Sequence, residues 1–311
     1  MDIIGKKYWY FLISTVIIVP GIISLLLFGL KLSIDFTGGS RQELQIASVQ
    51  QVQDKNSKLQ TSNEKIKETV EKQKVEVSSI QKSGDNVYII RTKPIDEKKH
   101  QEIKNALIKE FPKSKELSFQ TIGPTIGSET TLNALKAVLI ASILIVFYIA
   151  WSFRKVPKPA SSFRFGICAV AALVHDILLL VGVFSILGHF FNVEVDALFI
   201  TAVLTVMGFS VHDTIVVFDR IRENLRRMAG APFASIVNES IIQTLGRSLN
   251  TSLTVLLVLF TLLIFGGESM KWFIVALLIG IASGTYSSIF NASALLEVWE
   301  ERARRKGLRR T

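Results

Sequence analysis

Residues 207–224 read Met207-Gly208-Phe209-Ser210-Val211-His212-Asp213-Thr214-Ile215-Val216-Val217-Phe218-Asp219-Arg220-Ile221-Arg222-Glu223-Asn224. An apolar segment opens near Ala197, carries His212 and Asp213 well inside it, and runs out into Arg220 and Arg222. It is long enough for a membrane-crossing helix. An ionised carboxylate costs several kcal/mol in hydrocarbon, so Asp213 is a functional-site candidate that carries a proton or pairs with a buried cation. The plainer alternative is a static ion pair that fixes a helix bundle.

The rest of the chain agrees with a membrane reading. Of 311 residues, 49% are hydrophobic, and the mean hydropathy is +0.39. Most apolar residues fall in six runs, at residues 9–30, 132–153, 163–187, 195–218, 248–265 and 271–298. One polar block, 31–131, lies between the first and second runs. This predicts an α-helical polytopic membrane protein with six spans and one soluble insert.

The net charge of +10 does not indicate nucleic acid. Lys6 and Lys7, then Arg154, Lys155, Lys158 and Arg164, then 220–227, then 302–310 flank the apolar runs on alternate sides, which is the positive-inside pattern. It predicts an inner N-tail (1–8), an inner loop (219–247) with an amphipathic helix at 232–243, and a basic inner tail (299–311) against anionic membrane lipid. The insert then lies outside. Cys168 is the one cysteine, so no intrachain disulfide forms. The first run is too long for the apolar core of a cleavable signal and reads as a retained span.

Inside the insert the periodicity alternates. Strands are expected at 41–49, 75–81, 87–92 and 116–122. Helices are expected at 61–74, with Ile66 and Val70 on one side, and at 95–111, with Ile103, Leu107 and Phe111 on one side. Ser83-Gly84-Asp85-Asn86 has the composition of a hairpin turn, and residues 50–60 carry no usable pattern. The order β-α-β-β-α-β is that of a ferredoxin-like α+β domain. Two glycine-bearing joints bracket it: Asp35-Phe36-Thr37-Gly38-Gly39 and Gly123-Pro124-Thr125-Ile126-Gly127. Each is either a plain turn or a hinge.

Three further constellations lie in the spans. His175-Asp176 in the third is either a second relay or a helix-to-helix hydrogen bond. In the fifth, Arg247 opens the run at the depth of Asp213, which lies roughly 9 Å from Asp219 at 1.5 Å per residue; matched depth predicts an Asp213–Arg247 pair. His212, about 100° round the helix from Asp213, is a neighbouring titratable group. In the sixth, Gly280, Gly284 and Ser288 with Ser283, Ser287 and Asn291 read as a small-residue packing stripe. There is no phosphate-cradling glycine loop and no Cys/His ligand set, so no cofactor or metal is expected beyond a proton gradient.

Taken together, Asp35-Phe36-Thr37-Gly38-Gly39, Gly123-Pro124-Thr125-Ile126-Gly127, Val174-His175-Asp176, Val211-His212-Asp213-Thr214, Phe218 through Asn224 and Arg247-Ser248-Leu249-Asn250-Thr251-Ser252 resemble the SecF family, the smaller subunit of the bacterial SecD–SecF protein-export complex. The resemblance implies half of an RND-type bundle paired with a SecD-like subunit beside the SecYEG translocon in the inner membrane. It also implies a domain that engages the translocating preprotein, a proton-motive force as energy source, and Asp213 and Arg247 as the coupling pair. Where relatives carry Gly-Leu-Asp at the first joint, this chain has Ser33-Ile34-Asp35, which stiffens it. Two other readings are a half-size RND-type exporter of lipid or small molecules, and an intramembrane aspartyl protease using Asp176 and Asp213. The latter needs its two acids facing one another across water.

Overall fold

The computed structural model describes residues 2–46, 55–83, 86–112, 114–157, 160–267 and 270–308. Residues 47–49 of the first expected strand, 50–54 of the expected linker, Gly84 and Asp85 of the expected turn, Lys158, Arg309 and Arg310 lie outside them, and residues 55–60 of that linker are helical rather than patternless. The chain divides into two units, Leu32–Ala134 and Met1–Lys31 with Leu135–Thr311.

The first unit is the insert. Strands β1 (Gly39–Ile46), β2 (Val77–Ser83), β3 (Val87–Thr92) and β4 (Ser114–Ile122) form one antiparallel sheet in the order β2-β3-β1-β4. The short helix α2 (Ile34–Thr37) precedes β1; α3 (Lys55–Glu71) and α4 (Glu97–Glu110) connect the strands. This is the ferredoxin-like arrangement. Alternation turns Leu44, Ile46, Tyr88 and Ile90 to one sheet face, and the helical period sets Ile66, Val70, Ile103 and Leu107 against them. Burying each such side chain stabilises the unit by about 1.5–3 kcal/mol. Asp96 caps α4 by accepting from the Lys99 amide at 2.8 Å.

The two glycine joints meet. A Cβ on Gly38 would lie 2.9 Å from Pro124 Cα, and one on Gly127 would lie 2.8 Å from the Gly38 nitrogen. Gly38 also has φ +69°, a region L side chains avoid. Gly39 and Ile122 pair across β1 and β4, and Thr131 Oγ1 donates to the Phe36 carbonyl at 3.3 Å. The incoming and outgoing chains therefore form one clasp, with glycine required for backbone-on-backbone approach.

The second unit holds helices α1 (Lys7–Phe28), α5 (Pro124–Ser152, from Leu135 on), α6 (Ser162–Phe191), α7 (Ala197–Arg227), α8 (Phe233–Phe265), α9 (Lys271–Tyr286) and α10 (Ser293–Leu308). A π-helical turn, Ser287–Ala292, joins α9 to α10 without a break. Six helices are long and apolar enough to cross a membrane, the sixth being α9, the π turn and α10 together. α6, α7 and α9 form the centre. α1 crosses α6 where the backbones of Gly21 and Gly182 touch: a Cβ on Gly182 would stand 2.8 Å from Gly21 Cα. α5 is largely exposed until its last turn, where Ile149 is buried and Phe153 meets Phe165 and Phe218, each at 5.7 Å.

One expectation is corrected here. Residues 232–243 are not a surface-lying connector. They open α8, and Ile236, Val237, Ser240 and Ile241 are buried in the bundle. Asn238 Oδ1 accepts the Ile3 and Ile4 amides at 2.7 and 3.2 Å, and Asn224 donates to Ser240 and Gln243, each at 2.9 Å. The amphipathic pattern is real, but protein rather than lipid headgroups covers its apolar face.

Candidate functional site

The bundle centre is polar. Asp176 on α6 is completely buried and accepts from four groups. Ser210 Oγ on α7 and Ser287 Oγ in the π turn reach Oδ2 at 2.5 and 2.7 Å; Ser283 Oγ on α9 and His175 Nδ1 reach Oδ1 at 3.0 and 2.9 Å. The other ring nitrogen, Nε2 of His175, lies 3.0 Å from Ser14 Oγ on α1 and 3.1 Å from Asn291 Nδ2. A carboxylate with this many donors is well accommodated in a dry interior. His175 and Asp176 thus form one network rather than a single bond between two helices.

Asp213 on α7 is 2% exposed and differently served. The hydroxyls of Thr285 on α9 and Ser252 on α8 reach it and are 2.6 Å from each other. Its Oδ2 is buried with no hydrogen-bond partner. An orphaned buried oxygen is costly, and it marks a group that takes a proton or awaits a partner.

The expected Asp213–Arg247 pair is absent. Helix α8 turns Ser248 and Ser252 inward, and Arg247, one residue earlier and so about 100° round, is exposed with Thr251. The α8 residue that does reach Asp213, Ser252, lies five positions, about 7.5 Å, further along the helix than Arg247, and Arg247 faces another side. His212 is exposed as well, while Asp213 beside it points in. Asp176 and Asp213 have separate partners on α9 and the π turn. Ser283 and Ser287 turn to one acid and Thr285 to the other, about 200° apart on the helix.

The stripe of α9 and the π turn reads from the sequence as a packing face. It does pack: a Cβ on Gly280 would strike Val206, and one on Gly284 would meet Ser210 Cβ at 3.0 Å. Its Ser283 and Ser287 also donate to Asp176, and its Asn291 lies against His175, while Asp213 is reached by Thr285, outside the stripe. The signal in the sequence was polarity, because alanine would pack as closely without a hydroxyl. Among the described residues, no group of three or more His, Cys, Asp or Glu is placed to hold a metal.

Near the end of the bundle that carries Lys7, ion pairs tie the helices. Lys7 meets Glu297 at 2.6 Å, and Arg164 meets Glu300 at 2.5 Å. Both glutamates are buried.

Comparison with known proteins fits this geometry. The family "Protein export membrane protein SecD/SecF, C-terminal" matches residues 102–302, and the "SecD/SecF GG Motif" matches residues 23–46. The protein translocase subunit SecF of Thermobaculum terrenum is 47% identical over 100% of this chain and 98% of its own length. The protein translocase subunit SecDF of Bacillus subtilis is 37% identical over 98% of this chain, which spans 39% of that longer protein. The crystal structure of SecDF from Thermus thermophilus, described there as a translocon-associated membrane protein, aligns with TM-score 0.81 at 31% identity. It covers 97% of this chain, which corresponds to 39% of that one.

Proposed function

The chain belongs to the SecD/SecF family of protein-export membrane proteins, and from that premise we propose that it is the SecF-type subunit of a translocase accessory complex, moving preproteins at the expense of a proton gradient. It is a multi-pass membrane protein. Its N- and C-termini are cytoplasmic, because Lys6, Lys7 and the basic residues of α10 lie at inner ends by the positive-inside rule. The domain at residues 32–134 engages the emerging preprotein on the far side, next to a SecYEG-type channel.

Relatives that carry both parts in one chain support a SecD-like partner. Its docking surface is the exposed polar stripe of α7 and α8, with Thr205 and His212 on one helix and Arg247, Asn250 and Thr251 on the other. Exposed polar groups at membrane depth need protein or water beside them. Arg247 therefore serves the assembled complex.

The observation that carries the coupling is the unpartnered Oδ2 of Asp213. Ionised, the carboxylate seeks a donor, and an Arg247 reoriented by the partner is the obvious one; protonated, it releases that donor. Each proton crossing delivers about 2.3 kcal/mol per 100 mV. The test is preprotein translocation into vesicles containing the whole complex. Asp213→Asn is expected to abolish the gradient-dependent part of transport and leave the gradient-independent part intact. Full gradient stimulation in Asp213→Asn would refute the coupling.

A further inference from the structure

A pocket of about 290 Å³ lies between α1, α6 and the π turn. Its walls are apolar: Phe11, Ile18 and Val19 on one side, Ala171 and Leu295 on another. Its polar lining includes His175, Ser14 and Asn291. Asn291 is more than nine-tenths buried, and its Oδ1 has no partner. The pocket extends along α1 from Phe11, which is about 6 Å of helix from Lys7, to Val19. It therefore reaches toward the basic end of the bundle.

We propose that His175 is a second proton-binding site, loaded from water held in this pocket, with Asp176 as its fixed counter-charge. An ordered water needs two to four polar partners. His175 and Ser14 on the lining supply two, and the Asn291 amide, whose buried Oδ1 lacks a partner, supplies a third when it turns. In the neutral state Nδ1–H donates to Asp176 and the Nε2 lone pair accepts from Asn291 Nδ2 at 3.1 Å, so protonation requires the Asn291 amide to turn away. A hydronium ion in the pocket gives one proton to Nε2: an O–H bond breaks, an N–H bond forms, and water remains. The new N–H donates to Ser14 Oγ or, after its amide turns, to Asn291 Oδ1. The imidazolium then faces the Asp176 carboxylate, which is held by Ser210, Ser283 and Ser287. Release runs the same step backwards.

The groups facing this pair are known from each packed element. α1 presents Ser14, α7 Ser210, α9 Ser283, and the π turn Ser287 and Asn291. Tyr286 donates to the Tyr10 carbonyl nearby at 2.9 Å. Among the described residues no lysine, arginine or second carboxylate bonds to His175 or Asp176. Use of this site in export rests on the proton-driven reading above; proton binding itself does not.

Four histidines in the chain make the test clean. The full chain, with isotope-labelled histidine, is reconstituted in lipid vesicles, and imidazole nitrogens are followed by solid-state NMR as the pH is lowered. An imidazolium signal is expected that His175→Asn removes, that Asp176→Asn abolishes, and that persists in Asp213→Asn. Filling the pocket by Ala171→Phe, or from the opposite wall by Val19→Phe, is expected to abolish magnetisation transfer from water to that ring. If no imidazolium signal is lost in His175→Asn, or if both pocket variants keep the water transfer, the proposal falls. Should Asp176→Asn not assemble, the two pocket variants decide alone. Intact gradient-driven export in Asp213→Asn would overturn the motor reading and leave this titration untouched.

Discussion

Asp176 and Asp213 are the same side chain in two different settings. The first is surrounded by donors from α6, α7, α9 and the π turn; the second retains a bare oxygen. The first carboxylate is fully satisfied where it stands, whereas the second still lacks a donor. The exposed position of Arg247 gives a residue-scale prediction. In the isolated chain, Arg247→Met changes thermal stability by no more than about 0.5 kcal/mol, as surface substitutions do; in the assembled complex it abolishes gradient-driven export. A large loss of stability in the isolated chain would restore the internal Asp213–Arg247 pair. Sequence reading found Asp213 because charge inside an apolar run is visible without neighbours. It mispaired Arg247 because both the face of α8 that packs and the turn of α8 that meets Asp213 depend on neighbouring helices. The inward clue was Ser248 and Ser252, small and polar at i and i+4. Thr285 was not legible as a partner at all, since it arrives from a helix more than 70 residues away.

At the scale of elements, small residues decide which helices touch. Gly21 on α1 and Gly182 on α6 bring two backbones into contact. Gly182→Leu must separate them, at a cost of about 3 kcal/mol, the upper end for overpacking. It should also break the Ser24–Ser185 hydroxyl contact, 2.9 Å long and one turn away. Unfolding of the reconstituted chain measures the first, and crosslinking of paired cysteines at 24 and 185 the second; an unshifted transition with efficient crosslinking would contradict the close crossing. The π turn is a second decisive element. Such turns gather at functional sites, and here Ser287 and Asn291 within it serve Asp176 and Ser14. Nothing in the sequence period announces it, because one widened turn in an apolar run leaves the composition unchanged. The continuity of α8 was hidden for a related reason: an amphipathic stretch looks alike whether lipid headgroups or protein cover its apolar face.

For the molecule as a whole, fold class was legible because two periods and one hydropathy contrast run through the chain. Six apolar runs gave the spans, and alternation with i, i+4 spacing gave the ferredoxin-like unit. That unit carries its own pH signature. Glu116 on β4 is pushed up by burial, but hydrogen bonds from Lys104, His100 and Gln42 outweigh that and hold it below its ordinary value. Such a carboxylate contributes stability above its unfolded value of about 4.3, and the contribution is lost as pH falls through the lowered folded value. Exchange protection of α4 and β4 in the full chain should therefore fall on that acid limb, and Glu116→Gln should flatten it; an unchanged limb would remove Glu116 from the account. Everything else depends on the charge at Asp213 being switched. In vesicles holding the complete complex, the infrared carboxyl band that Asp213→Asn removes is followed with a proton gradient imposed and then collapsed. The account predicts a band that grows and fades with the gradient, and a band indifferent to it would contradict the account.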